Sequence, residues 1–151
     1  TGKCPPMPMI LCDHNETGYW DAWETYVKDH LLANRLISES DLHLFSVTSD
    51  VDEAVRETKH FYSNFHSLRY TRELIVLRLH RKPSDRQLDA IREAFADICV
   101  DNDRWRVCGA LKIERNEAKL RHLHRLTFPF NRRDHGRLRQ LIDHLNDLPA
   151  E

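Results

Sequence analysis

The sequence predicts a mixed α/β protein in which two β-α units of a parallel sheet precede a small α+β module. Over residues 8–65, short fully apolar runs alternate with amphipathic helical patterns. Over residues 74–148 the strand patterns change, because apolar residues there recur at every second position. We therefore divide the 151-residue chain into two regions, residues 1–66 and residues 67–151.

The first β-α unit begins with the apolar run Pro8 to Cys12, which is typical of a strand covered on both faces. A helix is predicted over Asp21 to Asn34, because large apolar residues recur there at steps of three and four. The members of this stripe are Trp20, Trp23, Val27 and Leu31, widened by Tyr26 and Leu32.

The second β-α unit begins with a short helical turn. Ser38 and Asp41 have the spacing of a capping box, and a strand is predicted to follow over Leu42 to Val47. The next helix starts at Asp50, in an acidic first turn that the helix dipole favours. Its predicted apolar stripe comprises Val51, Ala54, Val55, Thr58, Phe61 and Phe65.

The second region follows a predicted linker, His66 to Arg72. Ser84 and Gln87 form a capping box that starts a helix, and Pro129 indicates that the strand containing it lies at a sheet edge. The resulting β-α-β-β-α order is ferredoxin-like, with both helices covering one face of a mostly antiparallel sheet. The predicted elements are the strand Leu74 to Leu79, the helix Asp85 to Ile98, the strands Trp105 to Ile113 and Leu123 to Phe130, and a helix from about His135. The predicted core is Leu77, Leu79, Leu88, Ile91, Phe95, Val107, Leu111, Phe128, Leu138, Leu141 and Ile142.

Composition limits the classes of function. Charged residues make up 31% of the chain, but their formal net charge is only −1, so no global field attracts nucleic acid or anionic lipid. No apolar run approaches the ~20 residues of a membrane span, and no signal peptide opens the sequence. We therefore expect a cytoplasmic protein without a nucleic-acid or membrane partner, whose four cysteines are reduced and behave as small apolar residues.

Three segments of the first region resemble the "lonely guy" (LOG) family. They are Pro6 to Cys12 followed by Gly18 to Trp20, then Ile37 to Leu42, and then Phe45 to Ala54. The resemblance implies a Rossmann-like nucleotide-binding fold, in proteins often labelled lysine decarboxylases. It also implies cleavage of the N-glycosidic bond of nucleoside 5′-monophosphates, which releases a free base and ribose 5-phosphate. It covers roughly the first 66 residues, and the later part resembles a C-terminal extension of longer bacterial members.

The sequence departs from this family at the catalytic motif. The family's Pro-Gly-Gly-x-Gly-Thr-x-x-Glu signature supplies phosphate-binding amides and a carboxylate, and neither it nor the preceding Arg-Lys pair occurs in this sequence. The chain opens in a strand pattern without an initiator Met, so we expect it to be the C-terminal segment of a longer protein. We accordingly expect no catalytic residue and no cofactor in this chain. The expected partners are a nucleoside monophosphate, bound by the intact parent, and further copies in a homo-oligomer.

The topology nominates residues for the ligand pocket. Ligands of doubly wound sheets bind outside the carboxyl ends of the strands, where the loops after Cys12 and Val47 would lie. This nominates Asp13, Tyr19, Trp20 and Thr48 as substrate-binding residues. The alternative is that Tyr19 and Trp20 pack the helix start while Asp13 begins a turn.

Two further clusters could bind an ion. Arg132, Arg133 and Arg137 lie around the start of the last helix and form a candidate anion-binding site, although a solvated face paired with nearby carboxylates is the alternative. The pair His122 and His124 could hold a metal with His135 or Cys108 as a third ligand. We predict no metal site, because ten histidines make chance pairs frequent and no His-x-x-x-His spacing accompanies this one.

Two functional interpretations remain. In the first, the chain is a non-catalytic segment of a nucleotide phosphoribohydrolase. In the second, it is a binding or oligomerisation module that uses its strands or helices to contact another subunit.

Overall fold

A computed structural model of the chain describes residues 5–14 and 17–149. The protein is mixed α/β, with one parallel sheet of two strands and one antiparallel sheet of four. The elements in chain order are β1 (Ile10–Cys12), α1 (Tyr19–Tyr26), β2 (Ser46–Thr48), α2 (Val51–Phe61), β3 (Phe65–Tyr70), β4 (Ile75–Leu79), α3 (Asp85–Ala94), β5 (Arg106–Cys108), β6 (His124–Phe128) and α4 (His135–Asp147).

The first unit, residues 5–62, is built on the parallel pair β1 and β2, with Leu11 opposite Val47. Helix α1 starts after Gly18, whose φ of 72° lies in the left-handed region that glycine adopts readily. The predicted helix is confirmed, although it begins two residues earlier and continues as a π-helical turn over Val27–Leu32.

The segment before β2 differs from its prediction. The capping box is confirmed, because the Asp41 carboxylate accepts a hydrogen bond from the Ser38 N–H at 2.9 Å. It starts a 3₁₀ helix over Glu39–Leu44, so the strand predicted from Leu42 begins only at Ser46. The capped turn holds the backbone in helical hydrogen bonds, so the chain becomes extended only at Phe45.

The second unit, residues 63–149, contains the antiparallel sheet in the order β3-β4-β6-β5. Leu68, Leu77, Leu126 and Val107 lie in register across the four strands. Because successive side chains alternate between faces, this row lies on the face that packs against the core.

The core of this face confirms most of the predicted residues. Leu77, Leu79, Leu88, Ile91, Phe95, Phe128, Leu138, Leu141 and Ile142 all belong to one buried cluster. Val107 is only partly buried against it. The prediction is wrong for Leu111, which lies outside the cluster because strand β5 ends at Cys108 and the chain then enters short 3₁₀ turns.

Three predictions in the second unit are wrong. The predicted linker forms strand β3, in which Leu68 and Tyr70 pack against the core. Phe65 begins β3 and does not extend α2. Pro129 does not mark an edge strand, since β6 pairs with strands on both sides and Pro129 follows its last ladder residue, where no strand N–H is required.

The opposite face of the sheet is covered by residues 111–123. Arg78 of β4 and Arg125 of β6 lie opposite each other on this face. The buried Glu114 carboxylate accepts hydrogen bonds from both guanidinium groups, at 2.7 Å from Arg78 Nε and 2.9 Å from Arg125 Nε. Glu117 bonds Arg78 Nη2 at 2.7 Å and also pairs with Arg69. This charged network fastens the covering segment to the sheet.

Helix α4 contacts both units. An ideal Cβ on Gly136 would lie 2.1 Å from the backbone oxygen of Ser40, so only glycine allows the 3₁₀ helix of the first unit to approach this closely. Near the other end of α4, the Asn146 side-chain nitrogen donates a hydrogen bond to the Phe61 carbonyl of the first unit at 2.8 Å, and the Asn146 side-chain oxygen accepts hydrogen bonds from the N–H groups of Asn64 and Phe65 at 3.0 and 2.8 Å. The two units are thus joined by close packing at one end of α4 and buried hydrogen bonds at the other.

Candidate ligand site at the carboxyl ends of the parallel strands

A cavity of about 450 Å³ opens at the carboxyl ends of β1 and β2. Asp13 follows β1, Asp21 lies in the first turn of α1, and Val47, Thr48 and Ser49 form the end of β2 and the residue after it. This is the position at which open α/β sheets bind ligands. Two of the four residues nominated from the sequence, Asp13 and Thr48, line the cavity.

The Asp13 carboxylate is held by the loop that leads into α1. Its Oδ2 accepts hydrogen bonds from the Thr17 hydroxyl at 2.7 Å and from the Tyr19 N–H at 3.2 Å. The bond from the Thr17 hydroxyl makes the largest contribution to lowering the pKa of Asp13, and backbone hydrogen bonds add to it. The Asp13 N–H donates to the Thr48 carbonyl at 3.0 Å. Asp13 is therefore a fixed carboxylate that is ionised at neutral pH.

The Thr48 hydroxyl lies in a second hydrogen-bonded turn, at the start of α2. It donates to Glu53 Oε2 at 2.5 Å and accepts from the Asp50 N–H at 3.1 Å. Asp50 caps the helix by accepting from the Asp52 N–H at 2.8 Å. This backbone hydrogen bond is the main reason that the pKa of Asp50 is lowered. A ligand that reaches Thr48 would share its hydroxyl with this capping arrangement.

The two nominated aromatic residues do not line the cavity. The Tyr19 side chain is 67% exposed and its ring meets Trp20 edge-on, with 4.8 Å between ring centroids. Trp20 is half-buried and continues an aromatic series through Trp23 to Phe45. In the structure, therefore, both rings contribute to the packing at the start of α1.

Asp21 was not nominated, because its position on the polar face of α1 gave no reason to separate it from other solvated acids. The signal that could have found it is its place in the first helical turn after a strand, at the edge of the sheet where Asp13 follows β1. With Asp13 and Asp21 both present, the described lining residues carry two carboxylates and no cation. Such a lining suits hydroxyl and amine groups and repels phosphate.

The three nominated arginines do not converge on one point. Arg137 forms a two-point ion pair with Asp97, at 2.8 Å from Nε to Oδ2 and 3.0 Å from Nη2 to Oδ1, and it stacks over the ring of Phe95 at 4.7 Å. Arg132 donates to the carbonyls of Thr71 and Arg72. Of the three, only the exposed Arg133 makes no side-chain hydrogen bond to another described residue. Arg132 and Arg137 thus fasten neighbouring segments.

The two histidines considered for metal binding lie in different surroundings. His122 is exposed in the segment that precedes β6, whereas His124 begins that strand and is half-buried. Over residues 5–14 and 17–149, no group of three or more histidine, cysteine, aspartate or glutamate residues is arranged to hold a metal ion.

Comparison of the chain with protein-family models, with curated proteins and with solved structures finds no match. None of the helices in the described part of the chain combines the length and the apolar character that a membrane crossing requires.

Proposed function

We propose that the chain is the non-catalytic C-terminal segment of a nucleoside 5′-monophosphate phosphoribohydrolase of the LOG type. The observation that carries this proposal is the cavity at the carboxyl ends of two parallel strands, lined in part by Asp13 and Thr48. Ligands of Rossmann-like sheets bind at this position. One segment that resembles the LOG family, Phe45 to Ala54, supplies Val47, Thr48 and Ser49 to the lining, and two others end directly before Asp13 and Asp21. This placement supports the proposal.

The architecture proposed for the two units follows from their connections. In the first unit, β1-α1-β2-α2 with parallel strands is the repeating unit of a Rossmann-like sheet, to which further strands would add. In the second unit, β4-α3-β5-β6-α4 has the ferredoxin-like order, and β3 supplies one additional edge strand beside β4.

The chemistry of the cavity lining indicates which part of the ligand would bind there. Asp13 and Asp21 can accept hydrogen bonds from ribose hydroxyls or from an amino group of the base. The phosphate and the oxocarbenium-like transition state need a cationic or amide-lined cradle and a dedicated carboxylate, which the missing signature motif provides in the family. In this proposal the chain positions the nucleoside, and the rest of the parent protein performs the cleavage.

Activity measurements test the catalytic part of the proposal. The chain of 151 residues, incubated with AMP, is expected to release no adenine when the products are separated by chromatography. Turnover that persists through repeated purification would contradict the assignment of catalysis to another segment. Sequencing the reading frame upstream of the Thr1 codon is a second test, since a Pro-Gly-Gly-x-Gly-Thr motif within ~100 residues, the span of half a Rossmann fold, is expected there.

Ligand binding tests the positioning part. In an NMR titration, adenosine is expected to shift the amide signals of Asp13 and Thr48, and AMP is expected to bind no more tightly, because the cavity lining is anionic. Asp21→Asn should alter adenosine binding, whereas Asp85→Asn, in α3 of the second unit, is the matched control. Shifts confined to the arginines near α4 would contradict the proposed site.

The second candidate is a non-catalytic binding or oligomerisation module. The observation that favours it is the exposure of large apolar side chains in the first unit, among them Met9, Trp23 and Val55. The two candidates are compatible, because a segment of an oligomeric enzyme can also supply its subunit contacts.

A further inference from the structure

A chain of hydrogen bonds joins a histidine of strand β3 to the charged network on the outer face of the antiparallel sheet. The pairing of β3 with β4 shifts between Phe65 and Ser67, so His66 is an extra residue in a β-bulge. Arg78 Nη1 donates to the Ser67 hydroxyl at 3.3 Å, and that hydroxyl lies 2.8 Å from His66 Nδ1. Since the Ser67 oxygen accepts from Arg78, the Ser67 proton can be donated to His66. This arrangement favours a neutral imidazole whose Nδ1 accepts a hydrogen bond.

The surroundings of His66 oppose a positive charge on its ring. The ring of His80, which follows β4, meets that of His66 edge-on, with 5.5 Å between ring centroids. His122 acts on His66 from the covering segment, residues 111–123. Burial makes the largest contribution to lowering the pKa of His66, and the charges of His80, Arg78 and His122 add to it. The described groups that lower this pKa include no carboxylate that could offset a proton on His66.

His66 and His122 lie on opposite sides of the contact between the sheet and the covering segment. Strand β3 carries His66, whereas His122 is exposed near the end of the covering segment. The same contact is held by the Glu114 and Glu117 carboxylates, which bond Arg78 of the sheet. These ion pairs attract the covering segment to the sheet, whereas protonated histidines on the two sides would repel each other.

The charged network has no surplus of negative charge to stabilise added protons. It contains three guanidinium groups and two carboxylates, and therefore already carries one positive charge in excess. Its members are Arg69, Arg78, Arg125, Glu114 and Glu117. Protonation of the histidines beside Arg78 adds charge of the sign that is already in excess. Because histidine is the side chain that ordinarily titrates between pH 5 and 8, mild acidification works against the closed arrangement.

We propose that the covering segment is a pH-sensitive cover, which packs on the sheet at neutral pH and is released in mildly acidic solution when His66 and His122 become protonated. The lowered pKa of Glu114 keeps this carboxylate ionised down to about pH 5, so release does not require the loss of its charge. Release exposes the outer face of the sheet, on which Arg78 and Arg125 lie. The switch lies in the second unit, and its failure would leave the proposed ligand site unaffected.

Amide hydrogen exchange of the full chain tests the proposal, when each rate is divided by that of an unstructured chain at the same pH. The probes are the Glu117 and Leu123 amides, which donate to the carbonyls of Glu114 and Leu120 at 2.8 and 3.2 Å. Their protection is expected to fall about tenfold or more between about pH 7 and pH 5, whereas that of Leu77 in β4 should change much less. Unchanged protection of the covering segment, or an equal loss at Leu77, would overturn the proposal.

Substitutions separate a histidine switch from general weakening by acid. His66→Gln places a side chain that stays neutral at the bulge, and it should remove most of the loss of protection. His122→Gln changes an exposed residue, should reduce the loss, and keeps the test decisive if His66→Gln fails to fold. His43→Gln, at an exposed position of the first unit, is the matched control and should retain the full loss. The full loss in either folded variant, or a reduced loss in the control, would overturn the proposal.

Discussion

The two units of this protein bury their apolar residues to very different extents. The large buried cluster begins at Phe61, and of the buried apolar residues in the described part of the chain only Val27 precedes it. Ten of the twelve large apolar side chains that are exposed there lie at or before Tyr62. The second unit therefore has a core of its own, whereas the first unit leaves many of its large apolar side chains exposed.

The difference follows from architecture. In the second unit, four antiparallel strands and two helices enclose one face, and a charged network closes the other. In the first unit, a two-stranded parallel sheet has too few neighbours to cover its helices, and parallel sheets are found almost entirely with both faces buried. Substitutions should thus cost stability very unequally in the two units.

The largest effect is expected at Glu114. Glu114→Ala leaves the guanidinium groups of Arg78 and Arg125 buried without their shared carboxylate, and it should lower the free energy of unfolding by about 3–5 kcal/mol. Urea unfolding monitored by circular dichroism measures the change. Glu117→Ala, which removes a more exposed carboxylate of the same network, should cost clearly less. Equal losses in the two variants would show that the buried position of Glu114 contributes nothing.

A matched pair of aromatic truncations compares the two units directly. Phe95→Ala should cost about 3–5 kcal/mol, because Phe95 is 5% exposed within the large cluster. Trp23→Ala removes a larger ring that is 37% exposed in the first unit, and it should cost less than about 1.5 kcal/mol. A thermal shift from Phe95→Ala no larger than that from Trp23→Ala would contradict the proposed difference between the units.

A smaller effect is expected at the junction of the units. Gly136→Ala places a methyl group against the Ser40 backbone and should cost about 1–3 kcal/mol, mainly by separating α4 from the 3₁₀ helix Glu39–Leu44. Gly109→Ala is the control, because a Cβ there meets no atom within 4 Å. The two variants can be compared by thermal unfolding. Indistinguishable midpoints would mean that the junction adapts without loss.

The smallest effect concerns pH. Burial alone would raise the pKa of Glu114, but hydrogen bonds from the Leu111 N–H, Arg125 and Arg78 outweigh it and lower that pKa. The stabilisation that this lowered pKa gives the folded state is fully present above the ordinary glutamate pKa of about 4.3, and it is lost as the pH falls below that value. Glu114→Gln should therefore flatten the dependence of unfolding free energy on pH below about 4.3. A variant whose acid dependence matches that of the unsubstituted chain would contradict this role.

The sequence predicted the elements whose signals are local. The capping boxes at Ser38 and Ser84 are both present, and the helix predicted from about His135 begins at that residue. Strand β3 was missed because His66 and Arg69 give the segment the polar composition of a linker. In the structure these polar residues belong to a strand whose outer face is covered, so they do not indicate a solvent-exposed connection. Only the fold reveals that Glu114 and Glu117, more than 35 residues away, supply partners for Arg78 on that face.

The candidate site was predictable from topology but not in its composition. The rule that ligands bind at the carboxyl ends of parallel strands selected Asp13 and Thr48 correctly as cavity residues. It could not separate Tyr19 and Trp20, which pack against each other at the start of α1, from Asp21, which lines the cavity. The direction of each side chain in the first turn of α1 decides which residues line the cavity. The sequence pattern does not fix these directions, because it leaves open how long the connection between strand and helix is.

Native-state hydrogen exchange measured residue by residue, at a protein concentration low enough to prevent association, tests the unequal stability of the two units most directly. The amides of Leu77 and Leu126, in the central strands β4 and β6, should exchange only through global unfolding. The amides of Leu11 and Val47, in the parallel pair, should exchange through an opening of much lower free energy. Equal protection of the two strand pairs would contradict the conclusion that the two units differ in stability.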